Sequence, residues 1–265
     1  METRYIYVSS ENRDTNAWPS ANVYVMDLIE PIKDITEVNL MSARVPNTIY
    51  NISVGSNLVS INSTNVSIAP GFYTQTQFAS ALAASPTWPA NTTVSFSAPE
   101  GKFIFQGAAL SSVTVRTDDA GDMLGFGSNV TINAVTDPLY PTTSTVKSPL
   151  VSDPLKQSYI FLDIDELKSP YIHDTRSDPY ATALMNHCFG VVPLDCDFGT
   201  FKTFKESDFK LSIRFKHPIS CLSRLTIRWI DKNGTPINFN GLDDNSFVIK
   251  VCCQARNLEK LNYCN

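Results

Sequence analysis

Over residues 209–216, Phe209, Leu211, Ile213 and Phe215 alternate with Lys210, Ser212, Arg214 and Lys216. A period of two puts one set in a core and the other in water, the pattern of a half-buried strand. Ile160, Leu162 and Ile164 repeat it against Tyr159, Phe161 and Asp163, and Leu225, Ile227 and Trp229 repeat it against Thr226 and Arg228. Phe247, Ile249 and Val251 do the same around Lys250, so 225–230 and 247–251 are expected to form a closing hairpin. Earlier candidates are 5–8, 23–28 and 37–45, with Pro31 and Asp34 read as a turn between the last two because proline fixes φ and lacks a donor. Weaker candidates lie at 185–192 and 200–204.

The middle of the chain has a different texture. Short extended pieces are expected at 58–61, 65–68, 93–96, 102–106 and 113–116, with a compact turn at 120–126. Thr74 and Gln77 have the spacing of a capping box, and Phe78, Ala81 and Leu82 give the apolar stripe of one short helix that stops before Pro86. Residues 137–154 hold several prolines among Thr and Ser and read as an extended connector. Strands outside 51–147 number about nine, close to the eight of a jelly roll. The expected fold is mainly β: an antiparallel jelly-roll-like β-sandwich split into 1–50 and 148–265 by an inserted α+β subdomain, 51–147.

Composition narrows the function classes. With 265 residues the chain is long enough for a large core without staples, and 18% charged residues suits a β protein rich in polar loop. A formal charge of −5 argues against a general grip on nucleic acid, so the pairs Lys202/Lys205 and Arg214/Lys216 read as solvated strand faces. No apolar leader follows Met1 and no run approaches a membrane span, so neither a secretory signal nor a transmembrane segment is expected. Cys188, Cys196, Cys221, Cys252, Cys253 and Cys264 lack zinc-site spacing and are expected to be reduced thiols.

Candidate chemistry is sparse. Asp231, Asn233, Asp243 and Asp244 offer oxygens for a hard cation but lack the EF-hand order, and turn chemistry accounts for them better. His173, His187 and His217 are isolated, and His187 beside Cys188 has no third partner in sequence. Asp163, Asp165 and Glu166 resemble a glycosidase carboxylate set only loosely and are read as a solvated strand end. Most aromatics are assigned to the core; Trp18 and Trp88, each followed by Pro, are the expected exposed exceptions. No catalytic residue, metal or cofactor is expected, and the protein is expected not to be an enzyme.

Several segments carry a resemblance. RYIYVSSENRD with VYVMDLIEPIKDITEVNLMSARVPNTIYNI, then PGFYTQTQFASAL and MLGFGS, and finally HPISCLSRLTIRWIDKNGTPINFNGLDDNSFVIKV resemble the minor capsid proteins of nucleocytoplasmic large double-stranded DNA viruses. The late cysteines and the loop 168–183 depart from that pattern. The resemblance implies a jelly-roll structural protein of the virion, assembled in the host cytoplasm. Its implied partners are the major capsid protein, other minor capsid proteins and further copies of itself, with no sequence-specific nucleic acid. It also allows a vertex penton. A carbohydrate-binding or host-attachment protein is the alternative from another class. Expected contact segments are the N-terminal arm through Trp18, 137–154, 168–183 and 257–265.

Overall fold

The computed structural model describes residues 2–115, 118–127, 129–136, 142–155, 158–168, 188–208, 210–241 and 244–254. The chain divides into two compact units, Met1–Ile49 with Gln157–Asn265, and Tyr50–Lys156.

The first unit is an antiparallel β-sandwich of jelly-roll type, in which β1 (Glu2–Ser9) leads through residues 10–22 into the long strand β2 (Val23–Pro46). The inserted unit supplies β3–β10, given below. The chain then returns through β11 (Tyr159–Ile164), β12 (Gly190–Pro193), β13 (Phe201–Lys205), β14 (Leu211–Ile230) and β15 (Ser246–Cys253). Their order is β1-β15-β2-β14-β11-β12, with β13 also on β2. The C-terminal half of β2 lies between β15 on one side and β13 with the start of β14 on the other. Its N-terminal half pairs with the end of β14, which carries β11 on its far side. Inward rows such as Val8–Phe247–Ala43–Phe204 are buried, and they share one core with Ile160, Leu162, Ile164, Leu225, Ile227 and Trp229.

Two expectations fail here for one reason. A turn is expected at Pro31, and 209–216 and 225–230 are expected as separate strands with Pro218 between them, yet β2 runs for 24 residues and β14 for 20. Each proline sits in an excursion. Residues 28–31 of β2 lie opposite Ser223 alone, and 215–218 of β14 lie opposite Thr36 alone, so no ladder donor is demanded of either proline. The expected hairpin is also absent: β14 and β15 both pair with β2, which lies between them. Ladder partners are chosen by burial across the whole sheet, and the polar loop 231–245 is long enough to span β2.

The second unit holds two four-stranded sheets. One has the order β5 (Thr92–Ser97), β6 (Lys102–Gly107), β10 (Ser144–Lys147), β9 (Val135–Thr136); the other has β4 (Thr64–Ser67), β3 (Leu58–Ile61), β7 (Ser112–Val115), β8 (Val130–Asn133). Helix α1 (Gln75–Ala83) starts as the spacing predicts: Thr74 Oγ1 accepts from the Gln77 N–H, and the Gln77 side chain accepts from the Thr74 N–H. Phe78 and Leu82 then enter a core with Phe103, Phe105 and Phe126, in which Phe78 meets Phe103 edge-on at 6.1 Å. The expected turn at 120–126 is mostly a second helix, α2 (Asp118–Leu124), which a central Gly121 disguised. The expected connector is also partly regular, since β10 pairs with β6 and β9. Residues 148–156, assigned from sequence to the sandwich, go with this unit. The Ser148 N–H bonds Phe103, Leu150 bonds Gly125, Ser152 bonds Gly101 and Asp153 bonds Asp122. Among the described residues, no helix is long and apolar enough to cross a membrane.

Candidate interaction surfaces

The acidic cluster from sequence is built where β11 meets β14. Asp163 and Arg228 are cross-strand partners, so a carboxylate and a guanidinium point the same way from adjacent strands. Arg228 donates to Asp163 Oδ2 from Nε at 2.9 Å and from Nη2 at 2.6 Å, and its Nη2 also reaches Asp165 Oδ1 at 2.5 Å. Lys168 lies 2.9 Å from Asp165. Glu166 accepts from the Thr226 N–H at 2.7 Å and its hydroxyl at 2.9 Å. These carboxylates therefore clamp the turn after β11 onto β14. They correct the expectation of a solvated strand end, because Asp163 is only 7% exposed and carries its own counter-ion. Asp163, Lys168, Cys188 and Arg228 line a small cleft of about 300 Å³, in which Asp163 pairs with Arg228 and Lys168 pairs with the neighbouring Asp165. Replacing Arg228 with Ala leaves a buried carboxylate uncompensated and is expected to cost about 3 kcal/mol, read as a lower midpoint in urea unfolding. A change within about 0.5 kcal/mol would mean that the pair is merely a surface contact.

The other sequence candidates resolve individually. Asp231 Oδ1 accepts from the Asn233 and Thr235 N–H groups, which is turn chemistry; Asp243 lies outside the described residues. His173 and His187 lie outside them too, and His217 is exposed. Among the described residues no group of three His, Cys, Asp or Glu side chains is placed to hold a metal. Burial pushes the Cys188 thiol up to about 11, with the Asp163 charge adding to it, and burial likewise raises Cys253. Cys221 is exposed, while Cys188, Cys252 and Cys253 are buried. A maleimide at neutral pH is therefore expected to label Cys221 in the native protein and to reach those three only on unfolding, as read by peptide mass spectrometry. Native labelling of Cys188 would contradict the packing around it.

Aromatic exposure differs from expectation. Trp18 and Trp88 are half-buried and pack on the cores of their own units; Trp88 Nε1 donates to the Thr92 carbonyl at 2.7 Å and its ring stacks on Phe105. A proline after a tryptophan marks a loop, which says nothing about whether the ring turns inward. Among the described residues the most exposed aromatics are Tyr5 and Tyr7, at 63% and 64%, on the outward face of the edge strand β1, with Tyr159 and Phe198 also exposed. Their alternation with buried or half-buried Ile6 and Val8 is the signal that sequence reading passed over. Leu150, Val151 and Leu155 form a second exposed apolar segment, in the second unit. The segments 169–183 and 257–265, expected to make contacts, lie outside the described residues.

The first unit is thus an antiparallel jelly-roll-type sandwich whose one acidic cluster is internally paired and whose apolar groups stand out at strands and connectors. Residues 1–153 match the family model described as "Family of unknown function (DUF5901)", and the chain belongs to that family. No curated protein matches it. Among solved structures, the chain is similar to the SeMet-labelled mavirus penton protein, with 7% identity and TM-score 0.48 over 96% of this chain and 100% of that one. It is also similar to a chain in a cryo-EM structure of the Sputnik virophage, with 10% identity and TM-score 0.46 over 96% of this chain and 98% of that one.

Proposed function

We propose that this protein is a structural minor capsid protein of a large icosahedral DNA virus, fixing the shell by contacts with capsomers and with other minor capsid proteins. One observation carries the reading: the residues that resemble such proteins are the ones on which the sandwich is pinned. In the closing Leu-x-Ile-x-Trp and Ser-Phe segments, Trp229 and Phe247 meet edge-on at 6.3 Å in the core. Asn245 ties Trp229 and Tyr24 together, and Asp231 with Gly234 closes the turn that follows β14. A motif set of this kind specifies a scaffold, and its function lies in the surfaces the scaffold presents.

Such a protein works by attachment. Each apolar or aromatic anchor contributes modestly, and simultaneous engagement with several fixed neighbours multiplies the affinities. The exposed segment 150–155 supplies the anchors proposed here. The carbohydrate-binding alternative loses its best support, because Trp18 and Trp88 are packed on cores. Cross-linking mass spectrometry on intact particles tests the reading. Reproducible links from Lys102 or Lys147 to another capsid protein are expected. Links confined to this chain, or to host proteins only, would overturn it.

A further inference from the structure

The register of the first unit places cations together that are far apart in sequence. Four rows cross the outward face of β1, β15, β2 and β13–β14: Ser9–Ser246–Arg44–Thr203, Tyr7–Val248–Ser42–Lys205, Tyr5–Lys250–Asn39–Ser212 and Thr3–Cys252–Glu37–Arg214. With strands about 4.8 Å apart and rows about 7 Å apart, the grid measures roughly 14 by 20 Å. It carries Arg44, Lys205, Lys250 and Arg214, and the exposed Lys210 and Lys216 flank Arg214 along the chain. Glu37 is the one acid within the grid and accepts from Ser212 at 2.9 Å and Arg214 at 2.9 Å. Glu206 and Asp208 stand at the rim, where Asp208 accepts from the Lys205 N–H. An acidic protein therefore presents one basic face, and this face exceeds the Debye length of about 8 Å at physiological salt, so a partner senses its local sign.

We propose that this face binds single-stranded nucleic acid through its phosphates, without sequence preference. The inference does not rest on the capsid reading. Two features favour a phosphate backbone over an acidic protein surface. First, protein interfaces are depleted in Lys, yet four of the six cations are Lys; the two Arg are already engaged, Arg214 with Glu37 and Arg44 over the Phe201 ring at 3.9 Å. Second, Tyr5 and Tyr7 stand side by side, about 7 Å apart along the strand and next to Lys250, which lets each ring take one base of an extended strand. The face is a multi-stranded sheet rather than a helix or two-stranded ribbon, the elements that enter a duplex groove, which favours single strands.

The test is fluorescence anisotropy of the full chain with a labelled oligothymidylate of about 20 nucleotides. Four lysine contacts predict a slope of log K against log salt of about −3, hence a roughly 50-fold loss of affinity between about 50 and 200 mM KCl. The variant Lys205→Gln/Lys210→Gln/Lys216→Gln/Lys250→Gln should lose most of that slope along with the binding. Tyr5→Ala/Tyr7→Ala should weaken binding at least about tenfold and keep the slope. Both variants should melt as the parent does, since none of the six side chains is buried. Three results would each overturn the proposal: no binding at about 50 mM salt, parental binding by the quadruple variant, or competition by polyglutamate as strong as by unlabelled oligothymidylate. The last would point to an acidic protein partner.

Discussion

Replacing Asn245 with Ala is expected to destabilise the first unit by about 4 kcal/mol, because three buried groups lose their partner at once and each orphan costs about 1–3 kcal/mol. Asn245 Oδ1 accepts from the Tyr24 hydroxyl at 2.9 Å and from Trp229 Nε1 at 2.9 Å, and its Nδ2 donates to the Ala21 carbonyl at 2.8 Å. Its main chain bonds Ser10 in both directions, so the side chain joins the starts of β2 and β15 to the end of β14 while the main chain holds the turn after β1. Burial raises the Tyr24 hydroxyl above its ordinary value, which favours the neutral, donating form. Coupling provides the sharper check. In a Tyr24→Phe background one orphan is already gone, and Asn245→Ala should cost about 1 kcal/mol less, as read by the Trp229 emission in urea. Strict additivity would mean that the three bonds do not act through one amide.

Gly125→Ala should have the second largest effect, confined to the other unit. Gly125 has φ +72°, and a Cβ there would lie 2.4 Å from the Leu150 carbonyl oxygen and 2.9 Å from its carbonyl carbon. The backbone conformation costs Ala about 1 kcal/mol and the clash with main chain about 2 more, so about 3 kcal/mol is expected. Gly127 is the control: it shares φ +72° but has nothing within 4 Å, and Gly127→Ala should show only the backbone share. Trp88 reports the second unit and Trp18 and Trp229 the first, so emission from variants lacking one or other set separates the two transitions. Gly125→Ala is expected to lower the midpoint of the Trp88 transition. Equal costs for the two glycine variants would contradict the packing of 148–153 on this turn.

What was legible in sequence was what local chemistry decides. The capping box at Thr74 works through neighbours three residues apart, and the alternation in β11 sorts Ile160, Leu162 and Ile164 inward within one strand. The long strands were misread because Pro31 and Pro218 are tolerated only when the partner strand leaves them unpaired, a condition set some 190 residues away in sequence. Asp163 was misread for the same kind of reason: its partner is Arg228, 65 residues on, and only the register brings them together. Helix α2 has a poor helical sequence and is held by its place in a core through Ala120, Met123 and Leu124. The basic face was least legible of all. Its cations come from four separate segments, and a net charge of −5 averages them away.

The central claim, that this chain is built into a viral shell, is tested most directly by its abundance relative to major capsid protein in gradient-purified particles, before and after stripping with detergent and high salt. The account predicts a fixed substoichiometric ratio that survives stripping, since many simultaneous contacts hold each copy. Absence from the particles, or loss of the chain on stripping, would contradict it.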